Sequence, residues 1–263
     1  MAAWQVWLWG LAAGAGLMVV TWVASLVQKD TSLVDRVWGL AFVVLGWTYT
    51  LLGDGEDARE ALVVVLLTVW GLRLSGYITW RNWGDGEDAR YTAMRDRRPD
   101  VWWIRSLVTV FLLQAALAWL ISLPLLAVAT RTGDLGLVDV VAAAVFLTGF
   151  YFEAVGDWQL TRFLADDANR GTVMDQGLWR YTRHPNYFGD ATVWWGLGIF
   201  GLATGLGAWW GLIGSALMTL FIVRVSGVAL TEKNMSKGGS KRKGYDEYVA
   251  RTNAFIPGRP RRD

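Results

Sequence analysis

The chain contains no cysteine and a single histidine among its 263 residues. The first absence excludes disulfides, thiolate nucleophiles and cysteine-ligated metals. The second leaves too few imidazoles for a histidine-based metal centre, so no metal is expected. Charge is scarce as well: 18% of residues are charged, against 54% hydrophobic and 18 tryptophans. That balance is too apolar for an ordinary soluble domain and is the composition of an integral membrane protein. The net charge of +2 is small, no nucleic-acid partner is expected, and the placement of the charges carries more information than their sum.

From Trp4 to Val27 the chain has no charge. At about 1.5 Å per residue this run exceeds the roughly 30 Å hydrocarbon core of a bilayer. It lacks the basic start of a cleavable signal peptide and is too long for one, so it reads as a span. Apolar runs at about 33–52, 61–80, 104–130, 137–160, 187–206 and 208–230 bring the expected number to seven, the last two joined at Gly205-Leu206-Gly207. Seven crossings put the termini on opposite sides, and the loop charges test that count. Of the 25 Lys and Arg, only Arg59 and Arg131 fall on the side of the N-terminus; Arg36 and Arg73 lie within spans, and the other 21 fall on the opposite side. By the positive-inside rule the N-terminus is outside and the C-terminus cytoplasmic, the setting being a bacterial inner membrane. The expected fold is therefore all-α: one polytopic membrane domain over 1–263, with cytoplasmic loops and a tail over 231–263 that form a cofactor cavity.

The densest chemistry lies in GLWRYTRHPNYFGDATVWWG, Gly177 to Gly196, which holds His184 together with Arg180, Tyr181, Arg183, Asn186 and Asp190 beside an apolar run. Pro185 lacks an N–H and has a fixed φ, so it suits the first turn of the helix that follows. Free N–H groups at a helix start and nearby guanidinium forks both favour anions, which makes this stretch a pocket for a phosphate-bearing cofactor. Ionisable residues in or beside spans are expensive in lipid and normally face the bundle interior. Glu153 and Asp157 share one helix face, Arg73, Tyr77 and Arg81 a second; Asp35 and Arg36 open the second span, and Arg224 and Glu232 flank the cytoplasmic end of the seventh. An interhelical ion pair accounts for any one of them, but their common location on the cytoplasmic half points to a binding cavity.

Two coincidences carry less. GDGEDAR occurs at Gly53 to Arg59 and again at Gly84 to Arg90 with unmatched flanks, and Gly196 to Gly201 matches GxGxxG inside an apolar span with no strand before it. The glycines of the latter read as helix-packing positions rather than as a dinucleotide turn. In the tail, Lys237 and Lys241 to Lys243 suit anionic lipid headgroups, while Tyr245, Tyr248, Phe255 and Ile256 are placed to fold back over the cytoplasmic mouth.

The stretches FEAVGDWQLTRF (Phe152 to Phe163), GLWRYTRHPNYFGD (Gly177 to Asp190), LTEKN (Leu230 to Asn234) and GYDEYVARTNAFIPG (Gly244 to Gly258) together resemble the steroid 5α-reductase superfamily. SLVDRVWG (Ser32 to Gly39), WGLRLSGYITWRN (Trp70 to Asn82) and GEDARY (Gly86 to Tyr91) are similar to its bacterial DUF1295 branch. The C-terminal half resembles sterol C14 reductases and isoprenylcysteine carboxyl methyltransferases as well. The resemblance implies a seven-helix reductase that binds NADPH in a cytoplasm-facing cavity, with Asp157, Tyr181, Asn186, Asp190, Arg224 and Glu232 at cofactor-contacting positions. Arg180, Arg183 and His184 join them on grounds of charge and location. Asp190 replaces the more usual glutamate, and Glu153 stands where steroid reductases carry an asparagine. Tyr77 falls near the tyrosine that polarises the substrate carbonyl, and Asp35 near its acidic partner.

Reduction of an activated C=C bond needs a hydride at the β-carbon and a donor for the charge that develops on the conjugated oxygen. A phenol with a pKa of about 10 stays protonated at neutral pH and can donate there. The function expected is thus an NADPH-dependent reductase of a steroid-like or other lipid enone. Two alternatives stay open: an S-adenosylmethionine-dependent membrane methyltransferase, and a non-catalytic lipid-binding membrane protein.

Overall fold

A computed structural model describes residues 1–55, 58–235 and 242–261. Among these residues the secondary structure is helical, apart from one isolated parallel bridge between Thr172 and Lys243. Lys237, Lys241 and part of the first GDGEDAR copy lie outside the described residues.

Helix α1 (Ala3–Gln28) ends on Lys29, whose left-handed backbone (φ 55°) turns its N–H back to the Ser25 carbonyl. The expected second span is broken: α2 (Leu33–Arg36) and α3 (Trp38–Leu52) meet at Val37. Near that break the Leu40 N–H donates to Ser75 Oγ at 3.1 Å. Next come α4 (Ala58–Arg81) and the short α5 (Ala89–Asp96), whose first turn is capped by the Asp88 carboxylate accepting from the Arg90 N–H. The expected fourth span is α6 (Trp102–Ser106), a π-helical segment (Leu107–Leu112), α7 (Leu113–Ile121) and then a separate α8 (Leu123–Ala129). Pro124 explains the separation, since it suits a first turn and cannot donate within a continuing helix. After these follow α9 (Leu137–Leu164), α10 (Pro185–Ala203), α11 (Gly211–Leu220) with a π-helical continuation (Phe221–Val225), α12 (Val228–Met235) and α13 (Tyr245–Arg251).

Five helical runs are long and apolar enough to cross a membrane: Ala3–Gln28, Ala58–Arg81, Pro99–Ile121, Leu137–Leu164 and Leu206–Met235. Trp38–Leu52 is equally apolar but has only 15 residues. Helix α10 has 19 residues, and Asn186, Asp190 and its glycines make it less apolar. Many large apolar side chains on these helices are exposed, among them Val20, Val27, Leu51, Val140 and Leu147, as a lipid-facing surface requires.

The chain divides into two compact units. The first comprises Met1–Gly136 with Phe200–Gly214. Its core is built from Met18, Phe42, Leu45, Tyr49, Leu67, Trp70 and Phe111, all buried. Tyr49 reaches Ser122 through its hydroxyl at 2.8 Å, so the break after α7 is held by a buried polar pair. The second unit comprises Leu137–Ile199 with Ser215–Asp263. It is centred on Phe146, Val193, Trp194 and Leu197, with the Ser215 hydroxyl donating to the Trp194 carbonyl at 2.6 Å.

Candidate functional site

In the second unit, helices α9 and α10 meet along a seam of glycines: Gly149 and Gly156 on one, Gly189 and Gly196 on the other, each pair seven residues apart. A β-carbon at Gly149 would sit against the backbone N of Val193, and one at Gly189 against that of Glu153, closer than any real β-carbon approaches. Small residues at this spacing let two helix backbones touch. Gly196 packs on the Phe146 backbone in the same way, so the GxGxxG match is a packing seam. The contact carries α9 carboxylates to the start of α10: Glu153 and Asp157 are both buried, and the Asn186 amide donates to Asp157 Oδ1 at 3.0 Å. Asn186 Oδ1 in turn accepts from the Tyr187 N–H at 3.0 Å. The preceding loop is pinned to α9 by Gln159, which accepts from the Leu178 N–H at 2.9 Å, and by the Trp179 indole, which donates to the Gly156 carbonyl at 3.0 Å.

A second cluster adjoins the first along residues 183–186. Arg183 forms a two-pronged pair with Glu232, Nε to Oε1 at 2.7 Å and Nη2 to Oε2 at 2.8 Å. His184 is buried, with Nε2 lying 3.1 Å from Oε1 of the same carboxylate and its ring stacked on Tyr187 at 5.4 Å. The remaining Arg183 nitrogen donates to the carbonyls of Val249 and Thr252. The tail is fastened at further points: Thr182 Oγ1 donates to the Phe255 carbonyl at 2.8 Å, the Gly258 N–H to the Tyr181 carbonyl at 2.9 Å, and the Tyr248 hydroxyl to the Trp179 carbonyl at 2.6 Å. Burial pushes the Tyr248 phenol above its ordinary value, which keeps it a donor. Tyr245 and Tyr248 are buried, and the Phe255 ring meets Phe188 edge-on at 6.0 Å. The tail thus folds back as its aromatic residues lead one to expect, except that Ile256 is exposed.

The side chains of the other expected cofactor residues take no part in the hydrogen bonds just described. Asp190 is half-buried, one turn beyond Asn186, and Tyr181 is 44% exposed. Arg180 and Arg224 are exposed, and their side chains make no hydrogen bond or ion pair with a described residue. Arg224 stands on a π-helical segment, a local widening of the helix that often marks a functional position.

Asp35 and Tyr77 both belong to the first unit. The Arg81 guanidinium lies 5.5 Å over the Tyr77 ring, matching their expected shared face. Asp35 accepts from the Tyr91 hydroxyl at 2.9 Å and from Arg90 Nη2 at 2.9 Å. Burial, followed by the Asp35 charge, raises the Tyr91 phenol and keeps it protonated. The second GEDAR copy is therefore an anchor: Glu87 accepts from the Thr31 N–H at 2.8 Å, Ser32 Oγ accepts from the Asp88 N–H at 2.7 Å, and Arg90 bridges Asp35 and Asp88. Tyr91 and Arg90 lay inside a recognised motif; what no sequence signal supplied was their partner 55 residues away.

The architecture is that of a helical membrane protein with a buried carboxylate, amide and guanidinium network at the head of one helix. The chain matches the model of the family described as "Protein of unknown function (DUF1295)" over residues 21–252, and it belongs to that family. It is 26% identical over 231 residues to "Uncharacterized protein C594.04c" of Schizosaccharomyces pombe, a match covering 74% of this chain and 66% of the relative. No solved structure matches.

Proposed function

We propose that this protein is an NADPH-dependent membrane reductase acting on an activated C=C bond of a steroid-like or other lipid enone. Support comes chiefly from one observation: Asp157, Arg183, His184, Asn186 and Glu232, drawn from three separate stretches of the chain, meet in two adjoining clusters at the start of α10. A buried network of this size is costly to assemble and is commonest where a polar ligand must be held. The free guanidinium groups of Arg180 and Arg224 suit the phosphates, and the exposed Tyr181 ring offers a face for a planar base. NADPH supplies a hydride when bound. Asn186 and Asp157 orient each other, Glu232 fixes His184 and Arg183, and Arg183 ties the tail down against water. In the first unit Tyr77 donates to the substrate oxygen. Asp35, held by Arg90 and Tyr91, is the associated acid.

Seven crossings with the N-terminus outside go with this proposal. The five long helical runs are joined by α10, about 28 Å long at 1.5 Å per residue, and by α3, which with the turn of α2 reaches the length of a span.

One observation favours a second function, methyl transfer from S-adenosylmethionine. Arg183 is consumed by Glu232 and two carbonyls, so it adds nothing to an arginine rim for phosphates. The test is turnover: purified protein with NADPH and a panel of α,β-unsaturated lipid ketones, following NADPH oxidation and the reduced product. Reduction by the wild type, lost in Tyr77→Phe, is expected; methylation of an acceptor with no NADPH oxidation refutes the proposal.

A further inference from the structure

We propose that a groove in the first unit, between the α2–α3 corner and α4, binds one molecule of an anionic phospholipid. The proposal does not depend on the reductase reading. The groove encloses about 540 Å3, within the range of small-molecule sites. Leu40, Leu72 and Gly76 line it, together with Arg36, Trp80 and Trp83.

The lining is apolar in effect even where hydroxyls contribute. Ser75 Oγ accepts from the Leu40 N–H, and Thr79 Oγ1 donates to the Ser75 carbonyl at 2.7 Å, so both are satisfied by backbone. The slot is open at Gly76, where a β-carbon would meet nothing within 4 Å. Such a slot takes a hydrocarbon chain. The polar end differs. Arg36 donates through Nη2 to Asp30 at 3.0 Å, while its Nη1 has no acceptor among the described residues. A guanidinium N–H left without an acceptor beside an apolar slot is best complemented by an anionic oxygen. Trp80, in the last turn of α4, and Trp83, just beyond it, are 64% and 76% exposed, and indoles at such a position mark the level of lipid headgroups. A phospholipid satisfies both ends at once, its phosphate accepting from Arg36 Nη1 and its acyl chain lying along Leu40, Leu72 and Gly76.

The test is native mass spectrometry of the full chain, stripped of lipid in mild detergent and titrated with a phosphatidylglycerol or a phosphatidylcholine of the same acyl chains. One persistent phosphatidylglycerol adduct, formed at least tenfold more readily than the phosphatidylcholine adduct, is expected. Gly76→Leu fills the slot and abolishes the adduct in protein of unchanged helicity. Thr79→Leu, which removes a hydroxyl bonded only within its own helix, narrows the same slot and serves if the first variant does not fold. Arg36→Gln reduces phosphatidylglycerol to the phosphatidylcholine level. Equal adducts with both lipids, or a folded Gly76→Leu or Thr79→Leu protein that keeps the phosphatidylglycerol adduct, overturns the proposal.

Discussion

Glu232→Ala is the sharpest perturbation of the second unit. Glu232 receives two parallel N–H bonds from Arg183, whose side chain is only 10% exposed, while the carboxylate itself is 26% exposed. Removing one partner of a fully buried pair costs about 3–5 kcal/mol, and an exposed pair is worth about 0–1 kcal/mol. Arg183 keeps its bonds to Val249 and Thr252, and water can reach the vacated position, so the expected cost lies between these limits at about 2 kcal/mol. At 1.4 kcal/mol per tenfold, that raises the population with the tail released about thirtyfold. Trypsin cleavage after Arg251, under conditions where opening is fast relative to cutting, reads that population directly. Arg183→Ala loses the tail carbonyls too and should release it further; the double variant should match Arg183→Ala, since the pair acts as a unit. Tail cleavage within twofold of wild type in Glu232→Ala, or strictly additive effects in the double variant, refutes the clamp.

Three further outcomes are expected. Gly189→Leu, whose β-carbon would collide with the Glu153 backbone, forces α9 and α10 apart and should cost more than about 3 kcal/mol, seen as loss of folded protein on size exclusion in detergent; recovery at wild-type yield contradicts the seam. Tyr91→Phe removes the phenol from Asp35 and should lower thermal stability by about 1–2 kcal/mol, measured as a drop in Tm; an unchanged Tm contradicts that pair. Burial alone would raise Asp88, but the hydrogen bonds and charge of Arg90 outweigh it and hold the carboxyl below its ordinary 3.8. A depressed value means that stability is present above pH 3.8 and is lost as the pH falls through the lower folded value. The anchor at residues 84–91 should therefore loosen in acid, as followed by hydrogen exchange, and Asp88→Asn, which keeps the cap but not the charge, should lose that dependence.

How far the sequence discloses the fold depends on whether a feature is local. Helices α1 and α9 are long uncharged or sparsely charged runs, and their observed limits lie close to the expected ones. Pro185 marks the start of α10, because its missing N–H forces a boundary wherever it falls. The break at Val37 has no such marker. Pro124 could have signalled the break at Ser122, but the unbroken hydrophobicity around it hides the boundary. The clusters of the second unit were legible as a set of residues, since buried charge in an apolar chain is conspicuous. Their pairing was not: that Arg183 spends its guanidinium on Glu232 and the tail, and that Asp35 is met by Tyr91, depends on contacts spanning 49 and 56 residues.

The proposed function requires that the start of α10, with Asp157 and Arg224, hold a nicotinamide dinucleotide. Titrating NADPH into purified, lipid-reconstituted protein by calorimetry tests it most directly. Saturable binding of one NADPH per chain, weakened at least tenfold in both Asn186→Ala and Arg224→Ala and unchanged in Gly76→Leu, is the predicted result. No heat of binding, or equal affinity in the wild type and both site variants, contradicts it.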